Sequence, residues 1–342
     1  MRTQKLYAFF VVTLIFIIVL ASGCGRKGRS IGADDVIAVI ANPVEFERLE
    51  EPLKEVFERE IRVPIPELTF TLKNVSLDDF DTYRKWKSLI IISTLDSKSQ
   101  VLPFIKSMLN PLDLAKVENK QSFAFNKKEP WAYDQQLIVL VSTDIPTLKE
   151  KLAANKEQLF NVMDDYLTSR VKREMYATSE QVALEKELSQ KYGWKIRIQH
   201  DFEVLREDSA KSFVLLQRKL PSRSFLIHWV DTADPSIMTR EWIIKRRNDL
   251  SLNFEDADTV DVNRTETSTV DFGRHKALKL TGLWYSGFKG GGPFRSYTFY
   301  DERDRRIYTL DYAMFQPDFN RRKLPFLRQL DIMAHTFKAG SE

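Results

Sequence analysis

The chain has 342 residues, 43% hydrophobic and 29% charged, with 52 Lys and Arg against 48 Asp and Glu. That is the composition of a globular body long enough to bury a substantial core, and a formal net charge of +4 is no electrostatic footprint for nucleic acid. One cysteine excludes an internal disulfide, and four scattered histidines argue against a histidine-rich metal site.

Arg2 and Lys5 give a short basic start, and Leu6 to Leu20 is an apolar run of secretory length. The run ends in Leu20-Ala21-Ser22-Gly23-Cys24, which resembles a bacterial lipobox. The resemblance implies a signal peptide over residues 1–23, a diacylated Cys24 and membrane attachment through that lipid. The competing reading is an uncleaved signal anchor, for which the run is marginal against the ~20 apolar residues of a spanning helix. Residues 24–33, with Arg26, Lys27 and Arg29, read as a basic, flexible lipidated tether. Gly25 rather than Asp after the lipidated position points to the outer membrane, facing the periplasm. Losing Arg2 and Lys5 with the signal peptide leaves 50 basic against 48 acidic residues, a net charge of +2.

An N-terminal half is expected over 34–176. Residues 34–41 (DDVIAVIA) read as a buried strand. A helix follows, with Asn42 as N-cap, Pro43 at its first position, Glu45 completing a capping box, and Phe46, Leu49, Leu53 and Val56 on one face. Residues 67–75 and 87–94 read as strands, with a polar turn or short helix around Asp78, Asp79 and Asp81 between them. A brief helix is expected over 101–109 and a buried strand over 136–142. Asp144 and Pro146 open the longest helical pattern of the chain, carrying Leu148 through Val171.

A C-terminal half is expected over 177–342. Thr178 with Gln181 suggests a second capping box before a helix that stops at Gly193. Residues 194–205, 212–216 and 223–230 read as strands, 237–248 as a helix, 255–261 as a solvated acidic loop, and 277–285, 295–300 and 306–315 as further strands. A helix over 321–337 closes the chain. LTFTLKNV and KSLIIISTLD before a helix look like counterparts of KIRIQHDFEVL and RSFLIHWVD before a helix. The fold class expected is therefore α+β: two strand-rich halves of similar construction with packed helices, joined by a long helical region.

Residues 281–294 read TGLWYSGFKGGGPF, and the closing helix contains Leu327-Arg328-Gln329-Leu330. This combination resembles an uncharacterised family of Bacteroidota-type lipoproteins, a domain of unknown function with a GLW segment, a GGPF turn and an RQLE-like closing helix. The chain departs from that pattern at Lys289-Gly290, where a Met-Gly type turn is expected, and at Asp331 in place of Glu. The resemblance implies no activity.

The chemistry-bearing patterns are sparse. HExxH and GxxxxGK[ST] are absent, no GxSxG stands at a strand-to-helix elbow, no GxGxxG accompanies the glycines at 290–292, and Ser169 to Lys172 and Ser286 to Lys289 satisfy SxxK without an SDN or KTG partner. His228, in an apolar run beside Trp229, reads as a hydrogen-bonded core or interface residue. Asp256, Asp258 and Asp261 fail a calcium-loop register because Asp261 stands where glycine belongs. Ten aromatic residues lie between Trp284 and Phe315, interleaved with Arg295, Arg303, Arg305 and Arg306. They offer either one face of a core or a groove for a glycan, a peptide or a lipid headgroup. The candidate ligand-binding residues are Trp284, Lys289, Gly290, Gly291, Gly292 and Arg295. The glycines could form a nest for an anion or a tight connection between strands. No catalytic residue, metal or cofactor is assigned. The expected function is a membrane-anchored envelope lipoprotein that binds or assembles with an envelope protein or glycan, the alternative being an envelope hydrolase acting on cell-wall or lipid material.

Overall fold

The computed structural model describes residues 27–62, 65–232, 234–252, 257–287, 290–315, 317–318 and 321–340. The signal peptide, Cys24, Asp256, Phe288 and Lys289 lie outside the described residues. The architecture is α+β, and the described residues fall in two compact units: 27–56 with 71–156, and 57–70 with 157–340.

The first unit is built on a mixed five-stranded sheet of β1 (Val36–Ile40), β4 (Thr71–Val75), β5 (Ser88–Thr94), β6 (Ala124–Lys128) and β7 (Gln136–Ser142). Its order is β4-β1-β5-β7-β6, parallel except for the polar edge strand β6. Every residue of β5 and β7 is buried, as continuous apolar runs in the middle of a largely parallel sheet require. Helix α1 (Pro43–Phe57) buries the expected Phe46, Leu49, Leu53 and Val56. A 3-10 turn at Leu77–Asp79 and the short α2 (Phe80–Tyr83) take the polar stretch before β5. Val101 and Ile105 of α3 (Val101–Met108) and Val117 of α4 (Pro111–Glu118) pack on Ala38, Ile40, Leu89, Ile91, Val139 and Val141. Helix α5 (Ile145–Ala154) is capped by Asp144, whose carboxylate accepts from the Thr147 N–H at 2.8 Å.

Part of the expected tether is held against this unit. Tyr133 N–H donates to Gly28 O, Ser30 N–H to Tyr133 O, Ile31 N–H to Lys85 O and Lys87 N–H to Ile31 O, each at 2.9 Å. Two short parallel bridges, Arg29 with Tyr133 and Ile31 with Trp86, therefore satisfy the backbone just before β1. These contacts gather at the N-terminal ends of β5 and β7.

The second unit starts with the hairpin β2 (Glu60–Arg62) and β3 (Pro66–Leu68). The strand expected over 67–75 is thus cut in two, β3 belonging here and β4 to the first sheet. Helices α6 (Lys156–Tyr176) and α7 (Val182–Tyr192) follow. The long helical pattern breaks at Asn155, whose side chain turns back to Lys151 O. Gln181 does not cap α7 from its side chain but donates instead to Gln199 O and Phe202 O. Gly193 ends α7 in the left-handed conformation at φ 79°.

An eight-stranded antiparallel sheet forms the rest: β8 (Glu203–Asp208), β9 (Phe213–Arg218), β10 (Ser222–Asp231), β11 (Thr259–Val260), β12 (Glu266–Phe272), β13 (His275–Ser286), β14 (Gly290–Asp301) and β15 (Arg306–Phe315). The order is β11-β13-β14-β15-β10-β9-β8, with β12 also on β13. Residues 194–199, expected as part of a strand, stay outside it; their strand-like pairing is a single bridge of Lys195 with Lys338. The closing helix α9 (Leu324–Ala334) covers one face with Leu327, Leu330 and Met333. Helix α8 (Arg240–Ser251) supplies Ile243 and Ile244 to a cluster with Trp284 and Phe294. The hairpin caps α9: Glu67 accepts from the N–H of Lys323 at 2.7 Å and of Leu324 at 3.0 Å, an acidic group at a helix N-terminus.

The two sequence runs that look like counterparts therefore enter different constructions. Strands β4 and β5 flank β1, each parallel to it, whereas of residues 195–205 only 203–205 enter a strand, β8, and β8 and β10 flank β9, each antiparallel to it.

Candidate functional site

In the first unit the chain leaves β1 toward β4 on one side and later returns to β5 on the other. The switch between directions falls between β1 and β5, where the crevice beyond the carboxyl ends of parallel strands takes ligands in open α/β sheets. A cleft of about 380 Å³ opens there, lined by Asn42, Val44, Glu45 and Arg48 after β1, by residues 94 and 96–99 after β5, and by Ile145 after β7.

Asn42 caps α1, its Oδ1 accepting from the Val44 N–H at 3.0 Å. Glu45 does not reach back as a capping box would. Its carboxylate accepts from Ser93 Oγ at 3.0 Å and from the Ser97 hydroxyl, because the end of β5 brings two hydroxyl donors over the first turn of α1. Ser99 Oγ lies 3.0 Å from Ser97 Oγ, and Thr94 donates to Asp96 at 2.6 Å. The floor is thus a bonded set of hydroxyls and carboxylates, while the exposed Arg48 and Lys98 have no ion-pair partner among the described residues. The Ser93, Ser97 and Thr94 protons are committed to the carboxylates of Glu45 and Asp96, so a polar ligand bearing an anionic group would be held by the two cations at the rim.

The residues singled out from the sequence lie in the second unit, on both faces of the antiparallel sheet. Gly290, Gly291 and Gly292 open β14 and pair with Ser286, Tyr285 and Trp284 of β13. A Cβ on Gly292 would stand 2.1 Å from Met314 O and 3.1 Å from Trp284 Nε1, and one on Gly291 would stand 2.3 Å from Trp284 O. Glycine here admits close packing of neighbouring backbones. Gly292→Ala is expected to cost about 1–3 kcal/mol of stability. Gly287→Ala, whose Cβ meets nothing within 4 Å, serves as the near-neutral control in the same urea titration.

Trp284 packs with Phe294, Ile243 and Ile244 on the α8 side. Arg295, the next residue after Phe294, points to the α9 side, with Nη1 3.8 Å from Asp331. The structure brings Trp284 and Gly292 together and sets Arg295 apart from them. Asp331 accepts from the hydroxyls of Tyr297, at 2.8 Å, and Tyr312. Burial pushes its carboxyl up, but Arg295, His335, the Tyr312 hydroxyl and Lys279 outweigh that and hold it below the ordinary carboxylate value. In the RQL segment, Arg328 donates to Asp164 and Thr168 of α6, at 2.6 Å each, and Gln329 accepts from Arg223. Most rings of the aromatic stretch are core: Phe294, Tyr297, Phe299, Tyr308 and Tyr312 are buried, and Tyr285 is exposed.

Two further polar arrangements are buried in this unit. Arg247 of α8 donates to both oxygens of Asp311, at 3.2 and 3.1 Å, and to Asp258 at 2.9 Å, with its guanidinium 4.7 Å from the centre of the Phe294 ring. Asp258 is therefore a structural partner, not a residue of a solvated acidic loop as its neighbours suggested. His228 is buried, with Nδ1 2.8 Å from Ser212 O and Nε2 accepting from Arg246 Nε at 3.0 Å. That pair of contacts fixes a neutral ring with its proton on Nδ1.

The cleft escaped the sequence reading because its parts lie about fifty residues apart. Its one local signal is the hydroxyl-rich TLDSKS turn directly after the apolar run of β5.

Residues 181–336 match a family model described as a domain of unknown function, DUF4837. No curated protein matches the chain. Among solved structures, the cyanobacterial PsbP (CyanoP) of Synechocystis sp. PCC 6803 is similar at 13% identity and a TM-score of 0.30, over 44% of this chain and 88% of that one. The Ran-binding protein Mog1p of Saccharomyces cerevisiae is similar at 12% identity and a TM-score of 0.30, over 43% of this chain and 90% of that one.

Proposed function

We propose that this protein is an envelope lipoprotein of the Bacteroidota type, anchored through lipid on Cys24 to the outer membrane and facing the periplasm, and that it acts by binding. The cleft at the ends of β1 and β5 carries this reading: it presents Arg48 and Lys98 above a floor of Ser97, Ser99, Thr94 and Glu45. The ligand it suits is small, polar and anionic, such as an acidic glycan fragment or a phosphorylated or carboxylated small molecule. The GLW and GGPF segments, on this reading, belong to the scaffold of the second unit.

Two measurements test the proposal. Cys24→Ala is expected to move the protein from the membrane fraction to the periplasmic fraction in folded form, and retention of that variant in the membrane would overturn the anchor. Inorganic phosphate, a dicarboxylate and a neutral disaccharide are then titrated against the protein and its Arg48→Glu/Lys98→Glu variant by thermal shift. Stabilisation by the anions alone, lost in the double variant, supports the cleft. Equal responses of both proteins would sink it.

A further inference from the structure

The lipid reading and the fold of the first unit together say which way that unit faces. Cys24 precedes Gly28 by four residues, a span of at most about 14 Å for an extended chain. The headgroup layer takes up ~5–8 Å of that distance. Gly28, Ser30 and Ile31 are bonded into the body through Tyr133 and Lys85, and Ser30 Oγ donates to Asp134 O and Lys27 Nζ to Glu129 O, both at 2.8 Å. A lipid on Cys24 therefore brings the N-terminal ends of β5 and β7 to the bilayer surface.

That end of the unit has the chemistry of a membrane-contacting surface. Ile31 and Tyr133 are about half exposed, at 53% and 49%. Arg29, Lys85 and Lys128 are exposed around them, with no ion-pair partner among the described residues. The neighbouring acids are engaged: Asp34 with Lys87 at 2.8 Å, Asp81 with Arg84 at 3.3 Å, and Glu129 accepting from the Asp134 N–H at 2.9 Å. Unpaired basic side chains around an exposed tyrosine and isoleucine fit anionic headgroups over a shallow apolar layer.

We propose that this patch, centred on Arg29, Ile31, Lys85, Lys128 and Tyr133, rests on the anionic phospholipid surface that holds the anchor. The inference rests on lipidation at Cys24. The cleft lies at the opposite ends of the same strands, about 23 Å away along the seven residues of β5. It therefore opens away from the bilayer, toward ligands arriving from the aqueous side.

The test uses the full lipidated chain in phosphatidylglycerol and phosphatidylethanolamine vesicles with brominated acyl chains. Cys24 is the only natural cysteine, so Tyr133→Cys and Lys98→Cys each give a single free thiol for a fluorescent label. The label at position 133 is expected to be quenched several-fold more than that at 98, and Ile31→Cys to repeat the result within the same patch. Adding Arg29→Glu, Lys85→Glu and Lys128→Glu should reduce the quenching at 133. Mass spectrometry of the N-terminal peptide is read alongside. A diacylated Cys24 with equal quenching at both positions overturns the orientation alone, whereas an unmodified Cys24 overturns the anchor beneath it.

Discussion

Replacing Arg247 with leucine is expected to lower the unfolding free energy of the second unit by about 3–5 kcal/mol. The guanidinium is 6% exposed and holds Asp311, itself 7% exposed, together with the more accessible Asp258. Removing the cation leaves a carboxylate in the apolar setting of Phe294, Ile243 and Ile244, without the charge that compensates its desolvation. Burial already pushes the Asp311 carboxyl up to about 6, against the pull of Arg247. In the Arg247→Leu chain it should rise further, so the variant should recover part of its stability on acidification. Arg247→Leu with Asp311→Leu should be much less damaged than the single variant, since replacing a whole buried pair with apolar groups is often close to neutral. Urea titration with tryptophan fluorescence measures all three chains. A loss under ~1 kcal/mol in the single variant would mean that water reaches the pair.

The second large effect is a pH dependence carried by His228. Burial lowers its pKa from 6.5 to about 4 in the folded chain, the Ser212 carbonyl opposing and Arg246 adding to the shift. Above pH 6.5 the ring is neutral in both states and its contribution is fully present. As pH falls below 6.5, the unfolded chain takes up a proton that the folded chain refuses. The contribution is lost progressively, reaching about 3 kcal/mol near pH 4. His228→Gln keeps a neutral donor and acceptor in this position and should lack that slope. Asp311 contributes with the opposite sign between about 6 and 3.8, but both chains carry it and it cancels in the difference. Parallel stability curves for the two proteins between pH 7 and 4 would show that His228 does not carry the effect.

The sequence was most legible where one residue pattern has one structural meaning. The runs KSLIIIST and QLIVLVS are apolar without alternation because both faces of β5 and β7 are buried, and the strands fall where the runs do. Gly193 marks the end of α7 because only a residue tolerant of positive φ closes a helix that way. The edge strand β6, AFNKK, carries too little apolar periodicity to be seen. Residues 194–199 have the composition of a strand, but Trp194, Ile196 and Ile198 bury themselves against α9 without entering the sheet. The separation of Trp284 from Arg295 could not be read either. It depends on the register that pairs Trp284 with Gly292 and so fixes which side of β14 each residue takes. The cleft in the first unit depends on strand order, which composition does not encode.

The hairpin of β2 and β3 has a consequence for how the molecule is made. Its Glu67 caps a helix 256 positions further along the chain, and the stretch that carries it, 57–70, is flanked on both sides by segments of the other unit. During synthesis from the N-terminus, this stretch leaves the ribosome early; α6 then offers Glu157 and Phe160 to Arg59 and Phe70, but the helix that Glu67 caps emerges much later. The second unit is therefore completed only once the closing helix has been made, around a short piece whose Glu67 was synthesised 256 residues earlier. A fragment confined to residues 181–336 would lack both Glu67 and α6, so it should be a poor candidate for expression alone. A fragment that splices 57–70 ahead of 157–342 would restore the missing cap and is the smaller piece to attempt first.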